Sequence, residues 1–504
     1  METKKIRFYL IFLVLFVAIQ SNSYAQQKVK LIKADDLKYH DEISGAQRLI
    51  GNVILKFDST LMHCDSAWVY IEEDYFDAWG HIKINGNETQ LTGDSLHIDR
   101  EKNEAQVMGD VFVRDEEMTL TTKRVDYDME TKVASYYGEG VIDNKSNNNK
   151  LSSDEGFYDT ESKFFHFRGN VVLVNPDYTI HSDTLKYSDP GEKAWFLGPT
   201  TIKSKEGTTI YCEDGWYETK TDNSVFRNNT KITFDNTSMQ ADSIQYNGLL
   251  KEGEMFGNVF VEDTTNNYLI TGEYGKYNKT TEISYVTDHA LMTQFFEKDS
   301  LFLHADTLWS KVDSLDKKYI QAYNDVRFYK SDMQGISDSL IYLEADSTLV
   351  FYNDPIIWSE KNQITGDTIR VTMKNNQADQ LFIDGHAFVV SEVIPDYYNQ
   401  IKGRNIIGDF KSNNLEKLLV LGNVQVVYYP EDKKDDDIKL IGQNKLECAT
   451  LEIFLKDNDI SRLKIEEKTE GRLTPIKEIS LEEKNLKGFR WLIKKRPTGV
   501  ESLF

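Results

Sequence analysis

Gly51-Asn52-Val53-Ile54-Leu55 is a phrase that this chain repeats along most of its length. It returns as Gly80-His81-Ile82-Lys83-Ile84, Gly109-Asp110-Val111-Phe112-Val113 and Gly169-Asn170-Val171-Val172-Leu173. Later copies are Gly257-Asn258-Val259-Phe260-Val261 and Gly422-Asn423-Val424-Gln425-Val426. The steps 51 to 80, 80 to 109, 169 to 198 and 324 to 353 are each 29 residues. A fixed period of this size marks a stacked repeat, in which each unit buries its apolar face only against its neighbours.

A second phrase alternates with the first. Its copies include Ala34-Asp35-Asp36-Leu37-Lys38-Tyr39, Gly93-Asp94-Ser95-Leu96-His97-Ile98 and Ser182-Asp183-Thr184-Leu185-Lys186-Tyr187. Others are Ala241-Asp242-Ser243-Ile244-Gln245-Tyr246, Ser337-Asp338-Ser339-Leu340-Ile341-Tyr342 and Gly366-Asp367-Thr368-Ile369-Arg370-Val371. The Asp keeps the same interval, as in 65 to 94, 154 to 183 and 338 to 367. One repeat therefore holds two strands, one led by glycine and one by aspartate.

Both phrases alternate with period two, the period of a strand buried on one face. Val53, Leu55 and Phe57 share a face, with Asn52 and Lys56 opposite, while Leu37 and Tyr39 share a face in the second phrase. The same phase selects Ile82, Val111, Val171, Leu185, Ile244, Val259 and Leu340 as inward residues. With degenerate forms the glycine-led phrase has 13 copies, starting at 51, 80, 109, about 139, 169, 198, 228, 257, 288, 324, 353, 385 and 422. Steps of 36, 32 and 37 residues after positions 288, 353 and 385 place insertions in loops on one rim. Turn-formers such as Asn85-Gly86-Asn87 and Thr221-Asp222-Asn223 separate the strands, and tight turns make successive strands antiparallel. The glycine is expected to relieve crowding where the strand bends, and the Asp to bond turn backbone at a strand entrance.

Composition narrows the function. Hydrophobic residues make up 40% of the 504, and 27 Tyr and 26 Phe favour strands. The net charge of −23 disfavours nucleic acid, whose binding depends on Lys and Arg neutralising phosphates. Residues 1–25 read as a signal peptide: Lys4, Lys5 and Arg7 precede an apolar run from Phe8 to Ile19, and Ser23-Tyr24-Ala25 supplies the cleavage site. Cys64, Cys212 and Cys448 are too few and too scattered for a disulfide framework or a metal site, and read as small interior residues. His63, His181 and His304 share a phase but stand 118 and 123 residues apart, of order 20 Å or more along a stack, so they cannot converge on one ion. Residues that recur at every turn are structural positions, whereas catalysis needs unlike groups gathered in one pocket. No catalytic residue, cofactor or metal is expected. The chain's end, Leu486-Lys487-Gly488-Phe489-Arg490-Trp491-Leu492-Ile493-Lys494-Lys495-Arg496-Pro497, is basic and aromatic in an acidic protein. It reads as a cap on the last rung, with docking to a membrane or partner as the alternative.

The alternation of Ala241-Asp242-Ser243-Ile244-Gln245-Tyr246 with Gly257-Asn258-Val259-Phe260-Val261, behind a signal peptide, resembles the OstA/LptA-like family of lipopolysaccharide transport proteins. The resemblance covers most of residues 30–455. It implies an all-β fold: an elongated antiparallel β-jelly roll, or β-taco, here a solenoid of about 13 two-strand repeats. It implies a periplasmic location, with outer-membrane association left open. Lipopolysaccharide acyl chains would lie in an apolar groove, and edge strands would join an inner-membrane transport complex to an outer-membrane translocon. The expected organisation is a signal peptide at 1–25, OstA-like repeats at 26–296, continuing repeats at 297–456 and a C-terminal cap or tail at 457–504. The groove candidates are Val53, Leu55, Ile82, Val111, Val171, Leu185, Ile244, Val259 and Leu340. The chain departs from the family in having more rungs than a single-module bridge protein and no C-terminal membrane barrel. The rival readings are a structural β-solenoid scaffold or adhesin without lipid cargo, and a β-solenoid enzyme acting on polysaccharide.

Overall fold

The structure, a computed structural model, describes residues 30–504 apart from 41–45, 58–59, 71–73, 87–88, 117, 146–147, 189–191, 314, 316, 375–376, 412–413, 435–436, 457–458 and 468. The signal-peptide reading of residues 1–25 falls outside the described residues. The chain divides into two compact units: one ends at Asp235 and includes Gln240–Lys251, and the other comprises Asn236–Met239 and Glu252–Phe504. Among the described residues both are antiparallel β-structure, with helix confined to short 3-10 turns.

In the first unit, strands such as Thr60–Tyr70, Tyr75–Asn85, Gln90–Asp99, Glu104–Arg114 and Met118–Asp128 each pair with the next in sequence. Each pairing slips near its middle. Ser66 faces Trp79 and His63 faces Lys83, so Cys64 and Asp65 stand opposite three residues, Gly80, His81 and Ile82. The same two-against-three mismatch sets Ser153 and Asp154 against Gly169, Asn170 and Val171. Left-handed backbone absorbs the extra residue: φ is 76° at Gly80 and 49° at His81, and 71° and 49° at Gly169 and Asn170. A bulge bends its strand sharply, and repeating it in strand after strand creases the sheet along one line. Every such strand therefore contributes one half to each of two walls.

The two phrases meet on this crease. The Asp is mid-strand, not at a strand entrance, because its carboxylate packs on the α-carbon of the glycine in the next strand. A Cβ on Gly80 would stand 2.2 Å from Oδ2 of Asp65, and one on Gly169 would stand 2.5 Å from Oδ2 of Asp154. The residue after the glycine then binds that carboxylate. Asn52 donates to Asp35 at 2.7 Å, Asn170 to Asp154 at 2.8 Å, and the His81 ring lies 2.8 Å from Asp65. Where Asp110 follows the glycine, its own carboxylate accepts a hydrogen bond from Lys123 instead. Positive φ occurs at the leading position of all 13 copies, with the fourth at Gly138. Copies without glycine use Asn228, Asp288, Asn324 or Asn353, the non-glycine types that best tolerate this conformation.

In the second unit many strands break at the crease, and the half-strands sort into two sheets. One runs through Ser300–His304, Ile356–Ser359, Asn362–Thr365, Phe388–Ile394, Tyr397–Lys402 and Glu470–Pro475. The other runs through Thr307–Val312, Thr348–Tyr352, Thr368–Lys374, Gln377–Asp384, Asn405–Lys411 and Asp459–Glu466. Long strands such as Met333–Leu343, Asn414–Tyr428 and Gly442–Lys456 belong to both, one half in each.

Two glycines separate the crease from simple backbone strain. Gly169 and Gly207 both have positive φ, 71° and 92°, but a Cβ on Gly207 would meet nothing within 4 Å. Gly207→Ala should cost about 1–2 kcal/mol from φ alone. Gly169→Ala should cost more, and Asp154→Ala should recover part of the excess, as measured by urea denaturation.

Candidate functional site: the apolar interior

The walls bring the inward positions of both phrases together. Val53, Leu55, Ile82, Val111, Val171 and Leu185 belong to one continuous buried cluster of the first unit. Ile244, in the same unit, is also buried, as are Val259 and Leu340 in the second. All nine residues picked from strand phase are thus buried. None is more than 6% exposed.

The centre of that interior is filled from a position the two phrases do not contain. Two residues before each leading position stand Leu49, Ala78, Val107, Tyr136, Phe167, Phe196 and Phe226, all buried. Tyr136 lies across the interior over two glycines; a Cβ on Gly140 or Gly156 would come within 2.3 Å or 2.2 Å of its ring. Its hydroxyl is 2.6 Å from Oγ of Ser153, and burial pushes the phenol up to about 12. The period-two rule applied two residues upstream of each glycine would have found this row.

Cys64, Cys212 and Cys448 are buried and unpaired, as small interior residues. Burial, helped by the neighbouring Asp65 and Asp214 charges, pushes Cys64 and Cys212 up to about 12, far from thiolate formation at neutral pH. The ionisable pairs of the crease face solvent. His81, hydrogen-bonded to the Asp65 carboxylate, is raised from the ordinary histidine value. His304 is buried on the outside of a wall, with Nδ1 2.9 Å from the carbonyl of Ala290. Among the described residues no group of His, Cys, Asp and Glu is arranged to hold a metal ion.

Among the described residues the first rung has one unpaired edge. Lys30–Lys33 and Asp36–His40 both pair with Ala46–Phe57 on one side, and no described strand pairs with their other edge. Leu31 and Leu37, opposite the buried Leu55 and Leu49, are 41% and 40% exposed, and Tyr39 is 68% exposed. Leu37 and Tyr39 keep their inner-face phase, and no described strand covers them.

Residues 26–183 match a family described as OstA-like protein, and residues 150–283 match one described as the LptA/(LptD N-terminal domain) LPS transport protein. Over this stretch the chain belongs to the OstA/LptA-like family. Eight of the nine inner-face candidates fall within it, and Leu340 lies beyond. A solved structure from Pseudomonas aeruginosa, LptH, is described as the LptA-homologous periplasmic component of the lipopolysaccharide transport device. It aligns at 15% identity over 21% of this chain and 80% of that one, with a TM-score of 0.19. No curated protein matches the sequence.

Truncation distinguishes a packed interior from the wall of an open trough. Leu55→Ala and Leu185→Ala should each cost about 2–5 kcal/mol, because a packed site is left with a cavity. In a trough already open to solvent, the loss would be well under 2 kcal/mol. Urea denaturation of the full-length protein reads the difference.

Proposed function

We propose that this is a periplasmic lipopolysaccharide-binding and transport protein. Acyl chains would enter between the walls against Val53, Leu55, Ile82, Val111, Val171, Leu185, Ile244, Val259 and Leu340. The observation that carries the reading is the continuous buried apolar cluster of the first unit, from Leu49 to Phe226, within the stretch that matches the OstA-like and LPS-transport families. Apolar walls with polar groups kept at the crease suit an acyl chain, which offers area and no hydrogen bonds. The interior is closed as it stands, so entry requires the walls to part at the rim opposite the crease. The protein would carry out no bond chemistry, and transport energy would come from a partner ATPase.

The open first rung supports a bridging role. Its free strand edge and exposed Leu31, Leu37 and Tyr39 suit strand addition by another β-taco, with backbone hydrogen bonds giving affinity and apolar contacts giving register. The partners would be an inner-membrane transport complex and an outer-membrane translocon.

One observation favours a second reading, a structural scaffold without lipid cargo. Tyr136 is seated over Gly140 and Gly156 and is 1% exposed. A photo-crosslinking residue at Val171 or Ile244 decides between the two. Transport predicts capture of lipopolysaccharide in cells at those positions and none at the outward Leu61. Equal labelling at inner and outer positions, or none at all, supports the scaffold.

A further inference from the structure

The basic, aromatic C-terminal segment lies on the outside of one wall of the second unit. Strand phase fixes the side. In the first unit the inward positions before a crease Asp are the odd ones, as with the buried Cys64 and Met62 before Asp65; Leu61, four before, is 38% exposed. In the second unit Gln334, Gln363 and Gln400 stand four residues before Asp338, Asp367 and Arg404, and so point outward. Gln443 has the same phase, opposite to that of the inward Cys448. Yet all four glutamines are no more than 3% exposed.

What covers them is the chain's own end. Gln443 donates to the carbonyl of Glu483 at 2.9 Å. Gln400 donates to Oδ1 of Asn485 and accepts from the amide of Leu486, both at 2.8 Å. Gln363 donates to the carbonyl of Arg490 and accepts from the amide of Leu492, both at 2.7 Å. Arg496 donates from Nε to Gln334 at 2.7 Å and from Nη1 to the carbonyl of Glu360 at 2.8 Å. Phe489 and Trp491 pack on Tyr398, and Phe504 packs on His304. Beneath the segment, the outward side chains Trp358, Val390, Val427 and Tyr429 are no more than 1% exposed.

The glutamines occupy every second strand of this sheet, about 9.6 Å apart at the usual strand spacing. The segment therefore crosses the strands and binds them through its backbone, Asn485 and Arg496. Sliding or splaying the strands would pull glutamine carboxamides off their partners in a buried setting, where an unmet hydrogen bond is costly. Among the described residues no segment covers the opposite wall in this way: a hollow of about 400 Å³ lies open on its outside, between the outward Leu343, Val350 and Arg370.

We propose that residues 483–504 form a clamp that ties the covered wall into one plate, so that the interior of the second unit opens by movement of the bare wall about the crease. What enters is a matter for the transport reading; the clamp itself does not depend on it. Hydrogen exchange on the full-length protein, without lipid, tests the proposal. Amides of Ile356–Ser359, Asn362–Thr365 and Tyr397–Lys402 should exchange at least tenfold more slowly than those of Thr348–Tyr352, Thr368–Lys374 and Asn405–Lys411. In the Gln363→Leu, Gln400→Leu double variant, residues 484–492 should lose protection and the covered wall should lose its advantage, with the bare wall unchanged. Equal exchange of the two walls in the unsubstituted chain would overturn the clamp, and that comparison needs no variant to fold. So would a covered wall that stays slow after the segment is released. Neither outcome depends on whether lipid is captured at Val171.

Discussion

A carboxylate set against the α-carbon of a glycine is the contact on which the rest of this structure depends. The carboxylate occupies the space where a side chain would begin, and the glycine takes a backbone conformation that a side chain would strain. The polar residue that follows then holds the carboxylate in place. Each contact adds one residue to one side of a strand pair, and a sheet with that excess in successive strands must fold along a line. The crease produces two walls with one apolar face each, and the hydrophobic effect closes them on one another. Polar groups collect at the crease and outside, so the interior is left to Val, Leu, Ile, Phe and Tyr.

Much of this could be read from the chain. The interval between Gly51 and Gly80 set the rung, and period two assigned Val53, Ile82, Val171 and Leu340 to the inner face. Even copies without glycine, such as those led by Asn228 and Asn353, were found at positions that turn out left-handed. The Asp was misplaced because a repeated Asp before Ser or Thr has the composition of a turn. Only the pairing register shows that Asp65 lies beside Gly80 on a neighbouring strand. Tyr136 and the Phe167–Phe196 row lie outside both phrases, two residues before the leading position, where Leu, Ala, Val, Tyr and Phe alternate without a shared motif. The clamp was illegible for a different reason. Gln334, Gln363, Gln400 and Gln443 look like ordinary outward residues until the segment that covers them is placed, and that segment is distant in sequence from every one.

The functional reading inherits this geometry. A creased sheet can part at its free rim without breaking the strand ladder, because the ladder hydrogen bonds run along the stack and not across the mouth. An apolar chain could then replace wall-to-wall contacts with contacts of the same kind. The bulk at Tyr136 and Phe167 makes that replacement least easy in the middle of the first unit. The second unit differs in having one wall fixed from outside, so the same opening would be one-sided there.

Glu104 and Arg114 are exposed at the two ends of one creased strand, one end on each wall. Spin labels at these positions, with their separation measured by pulsed dipolar spectroscopy in the full-length protein, report the opening of the mouth directly. The account predicts a longer separation when lipopolysaccharide is bound, by several ångströms and on the order of half the ~10 Å spacing of packed sheets. A distance distribution that lipopolysaccharide leaves unchanged, under conditions where it binds, would contradict it.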